Sequence, residues 1–264
     1  GRFSVLANTG GRPLGINFDA KGDLIIADAV KGLIAMAPDG TLRTLATDYN
    51  GQPMLFVDDL AIASDGKIYF SDASARYAYG SDMLELFERR PSGRLMVYDP
   101  ETQKLDLLLD DLYFANGVAL SAQEDFVLVN ETYEHRIMRY WLKGAKRGTA
   151  DVFIENLPGY IDNITEGPDG SFWLAVVAPR SDDLDNLVDK PFMRKVVYRL
   201  MQVTGANPAQ KHSYAVKLSP DGVPLVSLED DSGHVYVMPS VLQSGSKLYL
   251  GSLVMDALAV IDAP

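Results

Sequence analysis

The sequence predicts an all-β protein with the architecture of a β-propeller. Three observations support this prediction: one strand–turn–strand phrase recurs five times, each copy is followed by a third strand, and long helical periodicity is nearly absent. Propellers are rings of four-stranded antiparallel sheets, the blades, around a central channel. A β-sandwich with short strands has similar spacing, but five restarts of one phrase are hard to obtain from that fold. We therefore expect one propeller domain over residues 1–264.

The recurring phrase is a short apolar strand, a polar turn with Gly or Asp, and a second strand that ends in small or acidic residues. The turns SDG and PDG are hairpin signals, and the flanking residues alternate with the period of a strand. The five copies span residues 14–28, 59–72, 117–131, 163–176 and 239–252.

Further strands complete each predicted blade. Third strands follow the copies as GLIAMAP, GRLMVYDP, HRIMRYWL, VVYRLM and ALAVID. Fourth strands follow in the first four units as TLRTLAT, KLDLLLDD, TADVFIENL and VPLVSLED. VVYRLM also belongs to a stretch with helical periodicity, residues 182–201, so a strand and a helix are both open there.

The ring of blades looks incomplete. GRFSVLANT, residues 1–9, is typical of the outer strand of an earlier blade. We expect six blades in the full protein: five plus that outer strand in this chain, with the inner strands of one blade upstream of Gly1 or absent. Five blades with a lone terminal strand closing the ring are the alternative.

Two insertions interrupt the repeat, at residues 73–93 and 178–213. They contain the best helical candidates, 81–90 and 182–201, and are expected to cover the mouth of the channel. Their aromatic and apolar residues, such as Tyr79 and Phe192, suit a hydrophobic ligand or pack onto the blades.

The composition excludes several classes of function. With 47% hydrophobic and 23% charged residues the chain is globular, and its net charge of −12 argues against nucleic acid as a partner. The absence of cysteine excludes disulfides and zinc–thiolate sites. No apolar run reaches membrane-spanning length, and the residues that follow Gly1 lack the apolar region of a signal peptide. Membrane contact is therefore expected only through a possible anchor upstream of Gly1. Compartment and oligomeric state are left open.

Acidic and amide residues recur at one point of the repeat. The motifs VDD (57–59), ANG (115–117) and IDN (161–163) place Asp58, Asn116, Asp162 and Asn163 just before an inner strand. Strands normally exclude Asp and Asn, whereas Ca²⁺ binds about six to eight oxygen ligands from carboxylates, amides and water. Because inner strands converge on the channel, these four side chains are the predicted calcium ligands. The alternative is that they satisfy local backbone groups in turns.

Other chemistry has little support in the sequence. His135, His212 and His234 show no metal-ligand spacing, and GxSxG, GxGxxG and Walker motifs are absent. Glu131, at the end of a predicted second strand, either braces a neighbouring blade or faces the channel.

The stretches FANGVALS, YWLKGAKRGTADVF and LPGYIDNI resemble the family of strictosidine synthase-like and adipocyte plasma membrane-associated protein-like proteins. Its wider superfamily includes the paraoxonases and the gluconolactonase/regucalcin group, which are six-bladed propellers with a central calcium. The resemblance places calcium ligands on Asp58, where the family often has Asn, and on Asn116, Asp162 and Asn163. It also implies a Glu ligand on the first inner strand, in the segment that this chain does not show.

Two departures narrow the implied activity. Strictosidine synthases use a Glu on the last inner strand, where this chain has Pro239 and Ser240, and paraoxonases place a His where it has Leu14. The resemblance thus implies a calcium-dependent hydrolase of small hydrophobic lactones or aryl esters, with phosphotriesters as a further option. Asp162 and Asn116 are the predicted catalytic residues, Asp162 activating water. A propeller that binds a ligand or protein without turnover is the first alternative, and a strictosidine synthase-type lyase the second.

Overall fold

A computed structural model describes residues 4–204, 212–230 and 233–264 of the chain. Over these residues the chain forms four four-stranded sheets, one three-stranded sheet and a two-stranded hairpin. In each large sheet the strands are consecutive in sequence and pair antiparallel in that order, which is the meander of a propeller blade. The prediction of an all-β propeller is confirmed.

The blades follow one another along the chain. The first contains β1 (Pro13–Phe18), β2 (Leu24–Asp28), β3 (Gly32–Met36) and β4 (Leu42–Ala46), and is followed by the hairpin β5 (Asp48–Tyr49) and β6 (Gln52–Pro53). The second contains β7 (Val57–Ile62), β8 (Ile68–Asp72), β9 (Gly93–Asp99) and β10 (Lys104–Leu112). The third contains β11 (Ala115–Leu120), β12 (Phe126–Glu131), β13 (Arg136–Trp141) and β14 (Ala150–Ile154).

The fourth blade contains β15 (Gly159–Glu166), β16 (Phe172–Pro179), β17 (Tyr214–Leu218) and β18 (Pro224–Glu229). The fifth contains β19 (Val241–Ser244), β20 (Lys247–Leu250) and β21 (Ala259–Asp262). The insertions carry the helices α1 (Asp82–Glu88), α2 (Asp182–Asp185) and α3 (Pro191–Thr204), and a 3₁₀ turn (Thr132–Glu134) follows β12.

Apolar clusters between successive blades form the core. Strand β12, FVLVNE, is buried at every position because neighbouring blades cover both faces of its sheet. A separate cluster joins each pair of neighbours, for example Leu128 and Ile137 of the third blade with Leu174 of the fourth. Trp173 of the fourth blade packs against Leu248 of the fifth, as expected for a residue between blades.

The structure decides the open assignment of VVYRLM. These residues belong to helix α3, and the third strand of the fourth blade is β17, which lies beyond the insertion. The strand interpretation of VVYRLM was wrong, because these residues pack as a helix, with the Tyr198 ring on Phe87 of α1.

Five blades are observed. Residues 4–12 lie in no strand, so the outer strand expected at residues 1–9 is not formed over residues 4–9, and residues 1–3 lie outside the described residues. The count of six blades for the full protein stays a prediction.

The first and fifth blades each have an open flank. Innermost strands contact one another in the series β1, β7, β11, β15 and β19. The central strand of this series, β11, is buried throughout, whereas β1 is exposed at four positions that include Ile16 and Phe18. Leu242 and Val260 of the fifth blade are exposed as well. Apolar side chains therefore remain accessible at both ends of the series.

In each of the first three blades an acidic side chain bonds to the backbone that precedes the inner strand. Asp28, Asp72 and Glu131 end the second strand, and each carboxylate accepts a hydrogen bond from a backbone N–H shortly before the inner strand of its own blade. The pairs are Arg12 N with Asp28 (2.8 Å), Phe56 N with Asp72 (3.0 Å) and Tyr113 N with Glu131 (2.9 Å). Glu131 is fully buried and also pairs with Arg136. It therefore braces its own blade rather than a neighbouring one.

Candidate metal centre

Equivalent β-bulges interrupt four inner strands at the same level of the channel. The pairing register shifts across Leu14–Gly15 in β1, Asp58–Asp59 in β7, Asn116–Gly117 in β11 and Asp162–Asn163 in β15. A bulge places an extra residue in one strand, bends that strand and re-aims its side chains. The recurring Asp/Asn positions of the sequence are thus the bulge positions of the fold.

The bulge of β7 contributes Asp59 to this level. Its Oδ2 accepts a hydrogen bond from the Val118 N–H of the next blade at 2.9 Å. Burial raises the pKa of the Asp59 carboxyl to about 7, although hydrogen bonds from Val118 and Leu60 oppose the shift. The sequence interpretation chose Asp58 from the VDD motif and missed Asp59.

Asp162 and Asn116 come from neighbouring blades and lie close together at this level. The Asn116 side chain lies beside the Asp162 carboxylate, so β11 and β15 bring the two residues together at this level. Burial, followed by the nearby charge of Asp59, raises the pKa of Asp162 to about 7. Two acids close together in a partly dry site disfavour each other's ionised form, and a cation would relieve that conflict.

Three buried amide oxygens on or next to the strand of Asp162 have no hydrogen-bond donor among the described residues. They are the Oδ1 atoms of Asn116, Asn130 and Asn163. Asn130, in β12, is placed there by its own amide, which donates to the main-chain oxygen of Asp162 at 2.5 Å. Buried oxygens that lack a hydrogen-bond donor are costly, and a hard cation satisfies them.

The donor set at this level suits a cation that prefers oxygen. Among the described residues no three His, Cys, Asp or Glu side chains lie close enough to hold a metal by themselves. Two carboxylates with amide oxygens are a mixed oxygen set of the kind that Ca²⁺ accepts.

The four predicted ligands are placed as follows. Asn116, Asp162 and Asn163 lie at this level, with Asn116 beside Asp162. Asp58 is buried in the same bulge as Asp59. Their assignment as calcium ligands stays a prediction, and Asp59 and Asn130 join them as candidates.

Glycines let neighbouring inner strands approach closely at the bulges. A Cβ at Gly117 would lie 2.5 Å from Ile164 N and 2.6 Å from the Asn163 Cα. A Cβ at Gly15 would lie 2.7 Å from the Asp59 Cα. These contacts are with backbone atoms, so the neighbouring inner strands can approach this closely only with glycine at both positions.

The corresponding positions of the first and fifth blades supply no acid or base. Leu14 packs with Phe56 and Phe114 in an apolar cluster. Pro239 accepts a hydrogen bond from Asn163 N at 3.0 Å, which places Pro239 beside the site from the fifth blade. The departures noted in the sequence therefore lie at the level of the candidate centre.

A row of aromatic rings lies at the end of the blades where the inner strands begin. Ring centroids are 5.2 Å apart for Phe56 and Phe114, 4.8 Å for Phe114 and Tyr133, and 6.4 Å for Tyr133 and Tyr160. Leu86 of α1 packs on the same row. Between the row and the helices lies a small cleft, partly open to solvent, which Tyr133, Tyr160 and Arg194 help to line.

His135 has a structural environment. It is buried, its Nδ1 donates to the Gly159 carbonyl at 2.9 Å, and burial lowers the pKa of its imidazole. This contact joins the third blade to the fourth.

Comparison with known sequences places the chain among named relatives. The sequence model described as strictosidine synthase matches residues 58–145. Adipocyte plasma membrane-associated protein of Bos taurus is 41% identical over 92% of this chain and 61% of its own length. Protein STRICTOSIDINE SYNTHASE-LIKE 3 of Arabidopsis thaliana is 37% identical over 96% of this chain and 67% of its own length. The chain thus spans about three fifths to two thirds of the length of these relatives.

Solved structures with the same fold are more distant in sequence. A gluconolactonase from Xanthomonas campestris has a TM-score of 0.67 at 17% identity, over 94% of this chain and 72% of its own. A calcium-binding protein, regucalcin, from Agrobacterium tumefaciens has a TM-score of 0.60 at 15% identity, over 92% of this chain and 70% of its own. At these identities the likeness establishes the fold alone.

Proposed function

The chain belongs to the strictosidine synthase-like family, and from that premise we propose that it is a calcium-dependent hydrolase of lactones or aryl esters. The observation that carries the proposal is the set of donor-free amide oxygens around Asp162. Gluconolactonase and regucalcin, which have the same fold, provide further support for lactone chemistry and calcium.

Side chains from three blades would hold the cation. Asp58 and Asp59 come from the second blade, Asn116 from the third, and Asp162 and Asn163 from the fourth. Asn130 stands behind Asp162 and fixes its main chain. Because all of these groups offer oxygen, the site favours Ca²⁺ over softer metals.

The catalytic step needs charge stabilisation and a base. Bound Ca²⁺ would polarise the carbonyl of the substrate and stabilise the negative charge that develops on its oxygen. The Asp162 carboxylate would accept a proton from the attacking water, since a carboxylate that holds a metal can also act as a base. Asn116, which lies beside that carboxylate, would help to orient it.

The entrance to the channel suits an apolar substrate. The aromatic row and Leu86 present rings and aliphatic groups beside the site. In this proposal the insertions at 73–93 and 178–213 cover this mouth. Aryl esters and lactones with apolar substituents fit such a wall, since offset and edge-on ring contacts stabilise aromatic ligands.

One assay series tests the proposal. Hydrolysis of phenyl acetate and a panel of lactones is measured with added calcium, with EDTA, and for Asn116→Ala. The matched control is Asn17→Ala, which removes an exposed amide from β1. We expect turnover that EDTA and Asn116→Ala both abolish, whereas Asn17→Ala retains it. Turnover that EDTA does not reduce, or the absence of turnover with every substrate, would contradict the proposal.

A second candidate is a propeller that binds a ligand without turning it over. The absence of an acid or base at Leu14 and Pro239, the bulge-level positions of the first and fifth blades, favours this function. Calcium binding that depends on Asn116, measured by isothermal titration, together with no hydrolysis would select it.

A further inference from the structure

Helix α3 presents a stripe of apolar side chains to solvent. Among its exposed residues Phe192 is 75% exposed, Leu200 60% and Val203 85%. Met193 and Val196 are exposed as well, and no residue of the helix is buried. At about 100° per residue these five side chains fall within an arc of about 100° on one face. Contiguous exposed apolar surface of this kind marks an interaction site.

The opposite face fastens α3 to the rest of the protein. The Tyr198 ring packs on Phe87 of α1 with centroids 5.4 Å apart. The Arg194 guanidinium donates to the Val188 carbonyl at 2.9 Å and lines the cleft beside Tyr133 and Tyr160. The helix is therefore held by one face while the apolar stripe points away.

The charge of α3 is opposite to that of the whole chain. Residues 191–204 contain Arg194, Lys195 and Arg199 and no acid, whereas the chain has a net charge of −12. Lys195 and Arg199 are exposed and, at about 100° per residue, flank the stripe on one side. The acidic residues of this insertion lie before the helix, at Asp182, Asp183, Asp185 and Asp189.

We propose that α3 docks the protein onto a lipid bilayer surface that contains anionic headgroups. The stripe would enter the boundary between headgroups and acyl chains while Lys195 and Arg199 pair with lipid phosphates or carboxylates. The 14 residues of α3 reach about 21 Å, short of the roughly 30 Å of a hydrocarbon core, so the helix lies on the bilayer. In the described part of the chain no helix is long and apolar enough to span it.

Docking through α3 would turn the channel mouth towards the lipid. Arg194 shares its cleft with Tyr160, two residues before Asp162, so α3 and the candidate metal centre lie at the same end of the blades. Apolar compounds dissolved in the bilayer would then enter beside the aromatic row. The docking itself does not depend on the proposed hydrolysis, and a binding assay tests it separately.

The test is sedimentation of the purified chain with lipid vesicles. Vesicles of phosphatidylcholine alone are compared with vesicles of phosphatidylcholine and phosphatidylserine. Phe192→Ser/Leu200→Ser removes the stripe, and Val223→Ser/Leu225→Ser is the matched control, since Val223 and Leu225 are 57% and 54% exposed on the same blade. Lys195→Glu/Arg199→Glu tests the charges, with the exposed pair Lys21→Glu/Lys31→Glu as its control.

We expect the wild-type chain to sediment with the anionic vesicles, and the stripe variant to bind them at least about tenfold more weakly. The Lys195→Glu/Arg199→Glu variant should lose the preference for anionic vesicles, and both control variants should bind like wild type. A folded wild-type chain that sediments with neither vesicle overturns the proposal. So does equal loss in the stripe variant and its control, or a wild-type dimer that only the stripe substitutions dissociate.

Discussion

The Oδ2 atom of Asp59 accepts a hydrogen bond from the backbone N–H of Val118 at 2.9 Å, which joins an acid of the second blade to the inner strand of the third. At the same level the Asn116 side chain of the third blade lies beside Asp162 of the fourth. Three successive blades are therefore linked through the side chains of the candidate centre, and the same side chains bring two carboxylates close together.

Asp59→Asn should stabilise the protein without calcium and weaken its response to calcium. The folded pKa values of Asp59 and Asp162 are raised to about 7, above the value of about 3.9 for an unfolded chain. The metal-free protein therefore loses stability as the pH rises from about 4 to about 7. The variant removes one of the two charges, while the new amide oxygen still accepts from Val118.

Thermal unfolding of wild type and Asp59→Asn in EDTA and in calcium measures this effect. At about pH 8 in EDTA the variant should melt on the order of 5 °C higher, and the difference should vanish near pH 4. Saturating calcium should raise the melting temperature of wild type more than that of the variant. A variant that is less stable than wild type in EDTA at both pH values would show that the two acids do not oppose each other.

Gly117→Ala should separate β11 from β15 and impair the candidate centre. The new methyl group would lie 2.5 Å from Ile164 N and 2.6 Å from the Asn163 Cα, and backbone atoms cannot move aside by changing rotamer. We expect a loss of roughly 1–3 kcal/mol in the free energy of unfolding and weaker calcium binding.

Gly40→Ala is the control, since a Cβ at Gly40 has open space and only its left-handed φ of +86° opposes alanine. This variant should lose about 1 kcal/mol of stability and bind calcium like wild type. Equal calcium affinity in the two variants, measured by isothermal titration, would be inconsistent with the close approach at Gly117.

Asp72→Asn should strongly destabilise the second blade. Asp72 is fully buried, accepts from Phe56 N at 3.0 Å and pairs with the buried Arg94, whose Nε lies 3.0 Å from its Oδ2. Removing the charge leaves Arg94 buried without a counterion, at an expected loss of about 3–5 kcal/mol in the free energy of unfolding by urea. Adding Arg94→Met should restore part of that loss, and a loss equal to that of the single variant would argue against the ion pair as the cause.

Asp151→Asn should destabilise the third blade at neutral pH but not in acid. Arg139, Trp141 and Lys146 hydrogen-bond to the Asp151 carboxylate and lower its pKa to about 2, with the Arg139 bond as the largest cause. A depressed folded pKa contributes stability above about pH 4 that is lost as the pH falls towards 2.

Asp151 is about one third exposed, so we expect solvent screening to limit the loss at pH 7 to about 1 kcal/mol. Urea unfolding at neutral pH and at about pH 3 should show the difference from wild type shrinking. The exposed Asp221→Asn serves as control and should show no such trend.

The blades could be predicted from sequence because each one is encoded locally. Hairpin turns and alternating strands recur within each unit, and the observed inner hairpins lie within or close to the repeated phrases. The fourth blade was harder to predict because its third strand follows a long insertion. An apolar, β-branched stretch such as VVYRLM is compatible with helix and strand patterns alike. The packing of Tyr198 on Phe87 of α1, which the sequence pattern does not show, distinguishes the two.

The position of the candidate centre along the inner strands could be predicted from sequence, but the full set of residues that form it could not. Repeat alignment identified Asn116 and Asp162, which are in contact. It could not choose between Asp58 and Asp59, because a bulge decides which side chain bonds across to Val118. Repeat alignment could not find Asn130, since its place beside Asp162 arises from contact between blades. The available sequence hint was an Asn directly before the buried Glu131.

The open flanks of the terminal blades have a consequence for how the protein unfolds. Strand β1 is largely exposed while β11 is covered by a blade on each side, so amide protons of the first blade should exchange with solvent faster than those of the third. Asp59, Asn116 and Asp162 all come from the second to fourth blades. Partial opening at either end of the series would thus leave the candidate centre assembled, and its loss should coincide with global unfolding.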